Sequence, residues 1–222
     1  MNVLIISVHP DDETLGCGGT ILRHVAEGDS VDWLVVTAAH EPRWGREVIE
    51  QKAAEVRAVA AAYGMRQVTK LGFRTTELDV QPQNTLIDGI RSAVEATRPE
   101  VVYLVHGGDI HTDHFAVFTA AMSVLKPFYM KKHGVQRVLC YETLSSTEAA
   151  PPLMHRVFVP NVYREITGYL ERKVAIMGLY ASEVHEDPLP RGSAAIRALA
   201  RYRGATIAVD AAEAFVLVRE VT

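Results

Sequence analysis

The chain has 222 residues, of which 48% are hydrophobic and 23% charged, and a formal net charge of −4. That length supports one sizeable core, and the mildly acidic sum gives no reason to expect nucleic acid or an anionic membrane surface as a partner. No apolar run is long enough for a transmembrane helix. The chain opens directly on a strand pattern without a basic leader, so no signal peptide is expected. Two cysteines, Cys17 and Cys140, fit a reducing cytoplasm better than a disulfide framework.

The apolar run Val3-Leu4-Ile5-Ile6 predicts a buried parallel strand over residues 2–8. A helix follows over 14–27 and stops at Gly28, a C-cap residue. A strand is expected over 31–37, then a loop carrying His40, Arg43 and Trp44, then a helix over 46–63 that ends at Gly64. Ala53, Val56, Ala60 and Tyr63 give that helix a buried face. A short strand over 68–71, a loop over 72–83, a helix over 86–96 closed by Pro99, and a strand over 101–105 come next. Beyond a loop at 106–112 the pattern predicts a helix over 113–125 and a strand over 135–143. The last third reads as strand 157–159, helix 163–177, loop 185–191, helix 193–203 and strand 214–218. This alternation implies a Rossmann-like α/β fold, a mostly parallel sheet with helices on both faces. One domain over 1–222 is expected, with about 150–222 forming a cap on the same core.

The chemistry gathers in two places. His9-Pro10-Asp11-Asp12-Glu13 follows the first strand, and His111-Thr112-Asp113-His114 follows the fourth. Carboxyl ends of parallel strands share one edge, so the two clusters are expected to converge on a crevice. Histidines and carboxylates together suit a divalent transition metal, since imidazole favours zinc, iron or nickel over magnesium or calcium. The cysteines have no metal-ligand spacing, and three protein ligands with a vacant fourth position mark a catalytic site. Gly16, Gly18 and Gly19 do not form a dinucleotide fingerprint, and carboxylates at that turn would repel a pyrophosphate; close helix–sheet packing is the better reading. Asp11 and Asp113 also suit helix N-caps, and Glu13 the positive end of a helix.

Together the two motifs resemble the signature of the PIG-L/LmbE-like zinc N-deacetylases, a family that includes N-acetylglucosaminyl-phosphatidylinositol deacetylases and the deacetylases of mycothiol and bacillithiol synthesis. The similarity extends to Lys173, Tyr180 and Ser182, with Glu183 where Gln is usual, and to Glu213 and Phe215, with Ala211 in place of a tyrosine. The resemblance implies that His9, Asp12 and His114 hold Zn2+, with Fe2+ fitting the same ligands. It implies Asp11 as general base, His111 as a protonated imidazole facing the oxyanion or leaving amine, and Asp113 as the group that orients His111 and raises its pKa. The implied reaction removes an N-acetyl group from an N-acetylglucosamine-type sugar or conjugate. Lys52 and Thr75 stand where the family often has an arginine and an aspartate, so Arg46 or Arg43 and Arg74 become candidate substrate contacts. The other readings are an amidase on another acylated amine or a thiol conjugate, and a metal- or sugar-binding protein without turnover. A cytoplasmic location and a homo-oligomer are both compatible with such a fold.

Overall fold

The structure is a computed structural model that describes residues 1–222. Seven strands, β1 (Asn2–Ser7), β2 (Ser30–Ala38), β3 (Gln67–Arg74), β4 (Val101–Val105), β5 (Arg137–Tyr141), β6 (Val162–Glu165) and β7 (Ala212–Glu220), form one sheet in the order β3-β2-β1-β4-β5-β7-β6. The helices are α1 (Asp12–Ala26), α2 (Arg46–Tyr63), α3 (Gln83–Thr97), α4 (Thr112–Val124), α5 (Pro127–His133), α6 (Leu170–Met177) and α7 (Ser193–Thr206). β1 to β5 pair in parallel, and β7 and β6 add antiparallel at one edge. Strand order steps one way from β1 through β2 to β3, then returns to place β4 on the other side of β1. Right-handed crossovers therefore put α1 and α2 on one face and α3 on the other. The reversal between β1 and β4 opens a crevice at their carboxyl ends, where such sheets bind ligands.

β1 and β4 are buried along almost their whole length, as strands covered on both faces must be. They form the middle of an apolar core that includes Trp33, Tyr103, Tyr141 and Phe215. α1 passes close over this layer. A Cβ on Gly16 would lie 2.0 Å from the Tyr141 ring, and one on Gly19 would meet Ile166 at 2.7 Å, so the glycines permit the close approach expected of them. The helix kinks at Cys17, where the backbone leaves helical geometry. Glu213 of β7 accepts from the amides of Gly19 and Thr20 at 2.8 and 2.7 Å and so caps the second half of α1. Lys173 of α6 donates to that carboxylate at 2.7 Å and to Leu15 O at 2.9 Å.

The structure differs from the sequence expectation in the last third. Residues 157–159 are not a strand; a single 3-10 turn, Met154–Arg156, precedes them. The helix expected over 163–177 begins only at Leu170, because 162–165 pair with β7 as β6. The helical spacing of Leu170, Val174 and Met177 belongs to α6 itself and does not reach back into β6. β3 is longer than expected and runs through Gly72, whose φ of 72° only glycine takes readily.

Candidate metal and active site

β1 delivers His9 and the first turn of α1 to the crevice, and β4 delivers His111 and the first turn of α4. Asp12 starts α1 and accepts from the amides of Val8 and His9 at 3.0 and 2.8 Å, which fixes its carboxylate at the strand end. His114 Nε2 lies 3.4 Å from Asp12 Oδ1 and 3.3 Å from His9 Nδ1. His9 Nδ1 lies 3.7 Å from Asp12 Oδ2. Two ring nitrogens and a carboxylate thus face one point. Each histidine is held from behind by a carboxylate: His114 Nδ1 by Asp109 Oδ2 at 2.8 Å, and His9 Nε2 by Asp113 Oδ2 at 3.1 Å. Such carboxylate–histidine pairs fix the tautomer and raise the basicity of metal ligands. The donor set therefore fits a divalent transition metal.

His111 brings a ring nitrogen within 4.8 Å of those of His9 and His114. Its ring stacks on His114 with centroids 5.1 Å apart. Its Nδ1 accepts from the Asp113 amide at 3.2 Å and caps α4. No carboxylate holds it from behind, which separates it from the other two histidines.

Charge is tightly confined in this buried cluster. Burial, and then the neighbouring Asp12 charge, push the Asp11 carboxyl well above the usual range, while Arg191 pulls it back. Burial opposes ionisation of Asp12, but His114 and His9 outweigh it and hold that carboxyl below its ordinary value. Burial also works against charge on His114; Asp12 and Asp109 overcome it and raise its pKa to about 10. Burial, with His9 and His114 adding to it, lowers His111 to about 4. Glu13, enclosed by Thr14 and Tyr180 hydroxyls, is pushed up by burial to about 7.

Three expectations change. The Asp113 carboxylate does not orient His111. It bonds His9 and accepts from the Thr76 and Leu78 amides at 2.6 and 3.4 Å, because the start of α4 aims it at β3's outgoing loop. His111 is also not set up as an imidazolium, since protonating Nδ1 breaks the helix cap and the two neighbouring histidines disfavour a further charge. The expected substrate contacts Arg46 and Arg74 are exposed and do not line the crevice; Arg74 instead lies 3.7 Å from Glu77. Arg43 stacks on Trp44, its guanidinium 4.8 Å from the ring centroid, and donates to Thr76.

The crevice has a volume of about 350 Å³. Its cations are Lys52, Lys70 and Arg191. Lys52 pairs with Glu183 and donates to Ser182 at 3.1 Å. Arg191 donates to Asp11 Oδ2 at 3.0 Å, to Glu183 Oε2 at 2.7 Å and to Ser145 Oγ at 3.2 Å. Nothing local in the sequence marks Arg191, which lies in a loop with no periodicity; only the fold brings it back to α1. The crevice's apolar lining comes from Val35, Ala38, Trp44, Ile49, Ala53 and Val56. Hydroxyls also line it, from Thr37, Thr75, Thr76, Thr143, Ser145 and Ser146.

Residues 4–125 match the family PIG-L, described as GlcNAc-PI de-N-acetylase. The chain is 27% identical over 169 residues to the uncharacterized deacetylase YaiS of Escherichia coli, covering 74% of this chain and 81% of that one. It is 24% identical over 193 residues to a probable N-acetyl-alpha-D-glucosaminyl L-malate deacetylase 2 of Bacillus anthracis, covering 82% and 81%. The crystal structure of the conserved protein TT1542 from Thermus thermophilus superposes with a TM-score of 0.80 at 27% identity, over 100% of this chain and 96% of that one. The homologues support an enzyme that hydrolyses N-acetyl amides. With the family match spanning more than half of the chain and carrying both motifs that build the crevice, the chain belongs to the PIG-L family.

Proposed function

We propose that residues 1–222 form one domain that hydrolyses the N-acetyl group of an N-acetylglucosamine-type sugar or conjugate, using a divalent metal held by His9, Asp12 and His114. The observation that carries this reading is the convergence of those three side chains at 3.3–3.7 Å, with Asp113 and Asp109 behind the two rings. Zinc suits two imidazoles and one carboxylate, and Fe2+ fits the same set. Bound there, the metal supplies Lewis acidity and a water of pKa near 7.

This chain's own groups supply the rest. Asp11 is buried beside Asp12, and its raised pKa gives it the proton affinity a general base needs. Its carboxylate takes a proton from the attacking water as the water oxygen bonds to the amide carbon. The same carboxyl then protonates the leaving nitrogen as the C–N bond breaks, giving acetate and a free amine. His111 uses Nδ1 to accept from the α4 amide, so a neutral ring carries its proton on Nε2. That N–H donates to the oxyanion, a role that requires no net charge on the ring. Asp113 orients His9, a ligand, and acts on the reaction only through it.

The test is amine release from a panel of N-acetylglucosamine derivatives, using metal-stripped protein with zinc or ferrous iron added back. Metal-dependent release supports the reading. Stoichiometric metal with no release across the panel directs attention to other acylated amines. Failure to bind metal at all removes the assignment.

A further inference from the structure

Glu13 is fully buried, does not line the crevice, and pairs with no cation. A carboxylate in such a place costs stability unless donors fill it, and an unbranched apolar side chain avoids the cost. The donors that fill it are all neutral. Oε1 accepts from Thr14 Oγ1 at 2.6 Å and from Tyr180 Oη at 2.7 Å. Oε2 accepts from Ser7 Oγ at 3.3 Å and from the Asp11 amide at 3.2 Å. Two of the hydroxyl hydrogens are aimed there by donors of their own: Trp33 Nε1 donates to Ser7 Oγ at 2.8 Å, and Tyr63 Oη to Thr14 Oγ1 at 2.9 Å. Three hydroxyls thus fix the carboxylate, and the one backbone group it holds is the Asp11 amide.

That amide belongs to a backbone under strain. Asp11 has φ 114° and ψ −28°. A side-chain-bearing residue keeps such a conformation only where its surroundings over-determine it. Three contacts do so. The Asp11 carbonyl accepts from the Leu15 amide at 2.9 Å, its carboxylate accepts from Arg191 at 3.0 Å, and its amide donates to Glu13. Arg191 grips only the side chain. The carbonyl and amide contacts lie on opposite sides of the Asp11 Cα, so together they set the backbone angle from which that side chain projects.

We propose that Glu13 is a positioning residue: by accepting from the Asp11 amide it holds the strained backbone that aims the Asp11 carboxylate into the crevice. This deepens the deacetylase reading and rests on it for the role of Asp11 as base. Glu13 acts on the reaction only through Asp11, and what it supplies is a fixed acceptor rather than a charge. The cost of burying it is the cost of keeping Asp11 in a conformation it would otherwise leave.

The test compares wild type with Glu13→Met, which has similar length and no strong acceptor, and Glu13→Gln, which can turn its carbonyl oxygen to the Asp11 amide and its NH2 to the Thr14 and Tyr180 hydroxyls. Zinc-loaded proteins are read in two ways: amine release from an N-acetylglucosamine derivative, and hydrogen exchange at the Asp11 amide by NMR. In Glu13→Met that amide should exchange about 10-fold faster, the value of one hydrogen bond, while the Leu15 amide stays protected. Its kcat should fall by about 10- to 10²-fold, as for a displaced catalytic group, with KM and metal content unchanged. Glu13→Gln should restore both readouts. Should Glu13→Met fail to fold, Glu13→Asp, which keeps the charge but is one methylene short of the Asp11 amide, is expected to show the same two losses. A purely structural role shows instead a lower Tm and lower metal content, with kcat per bound metal at the wild-type level, and overturns the inference. So does unchanged exchange at Asp11 in both shortened and apolar variants, or a loss of kcat that Glu13→Gln shares in full. Wild type that releases no amine from any acetylated sugar removes the deacetylase reading, and the exchange comparison then decides by itself whether Glu13 holds Asp11.

Discussion

Arg191 Nη1 donates to Asp11 Oδ2 at 3.0 Å, joining residues 180 positions apart. Asp11 sits at φ 114°, a left-handed conformation unusual for a residue other than glycine, and its carboxylate depends on this contact for its place. Removing the guanidinium by Arg191→Ala frees the carboxylate and removes the charge that lowers its pKa. Turnover should fall by about 10²-fold, as for a displaced catalytic group. As the proposed base, Asp11 must be ionised to act, so the acid limb of the kcat/KM profile should move to higher pH. Arg191→Lys should recover part of both effects. Asp11→Asn should abolish most turnover, by about 10²–10⁴-fold, while metal content stays at the wild-type level.

Asp109 acts behind His114. It lies at 3% exposure with Oδ2 on the ring nitrogen that faces away from the metal point. Asp109→Asn keeps the shape and removes the charge. Metal affinity should weaken by about 10–100-fold, read by competition with a chelator of known strength. An unchanged affinity would show that the ring is oriented without the carboxylate.

In the metal-free protein His114 is raised from 6.5 to about 10 by Asp12 and Asp109. A ligand must be neutral to bind metal, so zinc titrated in between those two values should expel about one proton from this site. Calorimetry in buffers of different ionisation enthalpy counts that proton. The stability consequence follows from the sign of the shift. A raised histidine pKa favours folding fully below 6.5 and loses that contribution as pH rises towards 10. Metal-free protein should therefore lose stability across this window, and metal-loaded protein should lose less.

Lys173 and Glu213 form a buried ion pair, at 3% and 4% exposure, far from solvent screening. Lys173→Ala leaves the Glu213 charge buried against α1. Removing one partner of such a pair costs about 3–5 kcal/mol, which for a chain of this size lowers Tm by roughly 10 °C. Differential scanning calorimetry checks it, and a change below about 2 °C would mean that the α1 amides alone satisfy Glu213.

The parallel half of the sheet was legible because β1 and β4 are unbroken apolar runs, and β2 is one apart from Asp32, each set off by loop residues, and covered strands have little other option. The two histidine motifs were legible for the same reason: each stands at a strand end, and topology brings those ends together. The β6 stretch was not, since Val162–Glu165 is a half-buried edge strand, and its identity comes from pairing with β7. Arg46 and Arg74 were expected as substrate contacts because Lys52 and Thr75 stand where the family has an arginine and an aspartate, but neither lines the crevice, and Arg191 reaches it only through long-range folding. Asp113 was paired with the wrong histidine because its neighbour along the chain is His111, and its neighbour in space is His9.

The hold of Glu213 on the middle of α1 bears on how this protein is made. A growing chain has emitted His9, Asp12 and His114 well before residue 213 exists, so the proposed ligands are synthesised ahead of the brace that fixes the helix carrying Asp12. If those three side chains hold a metal as proposed, its capture at full strength is expected only once the closing strand has docked, and a truncated product ending short of β7 should carry the whole proposed ligand set and hold metal poorly.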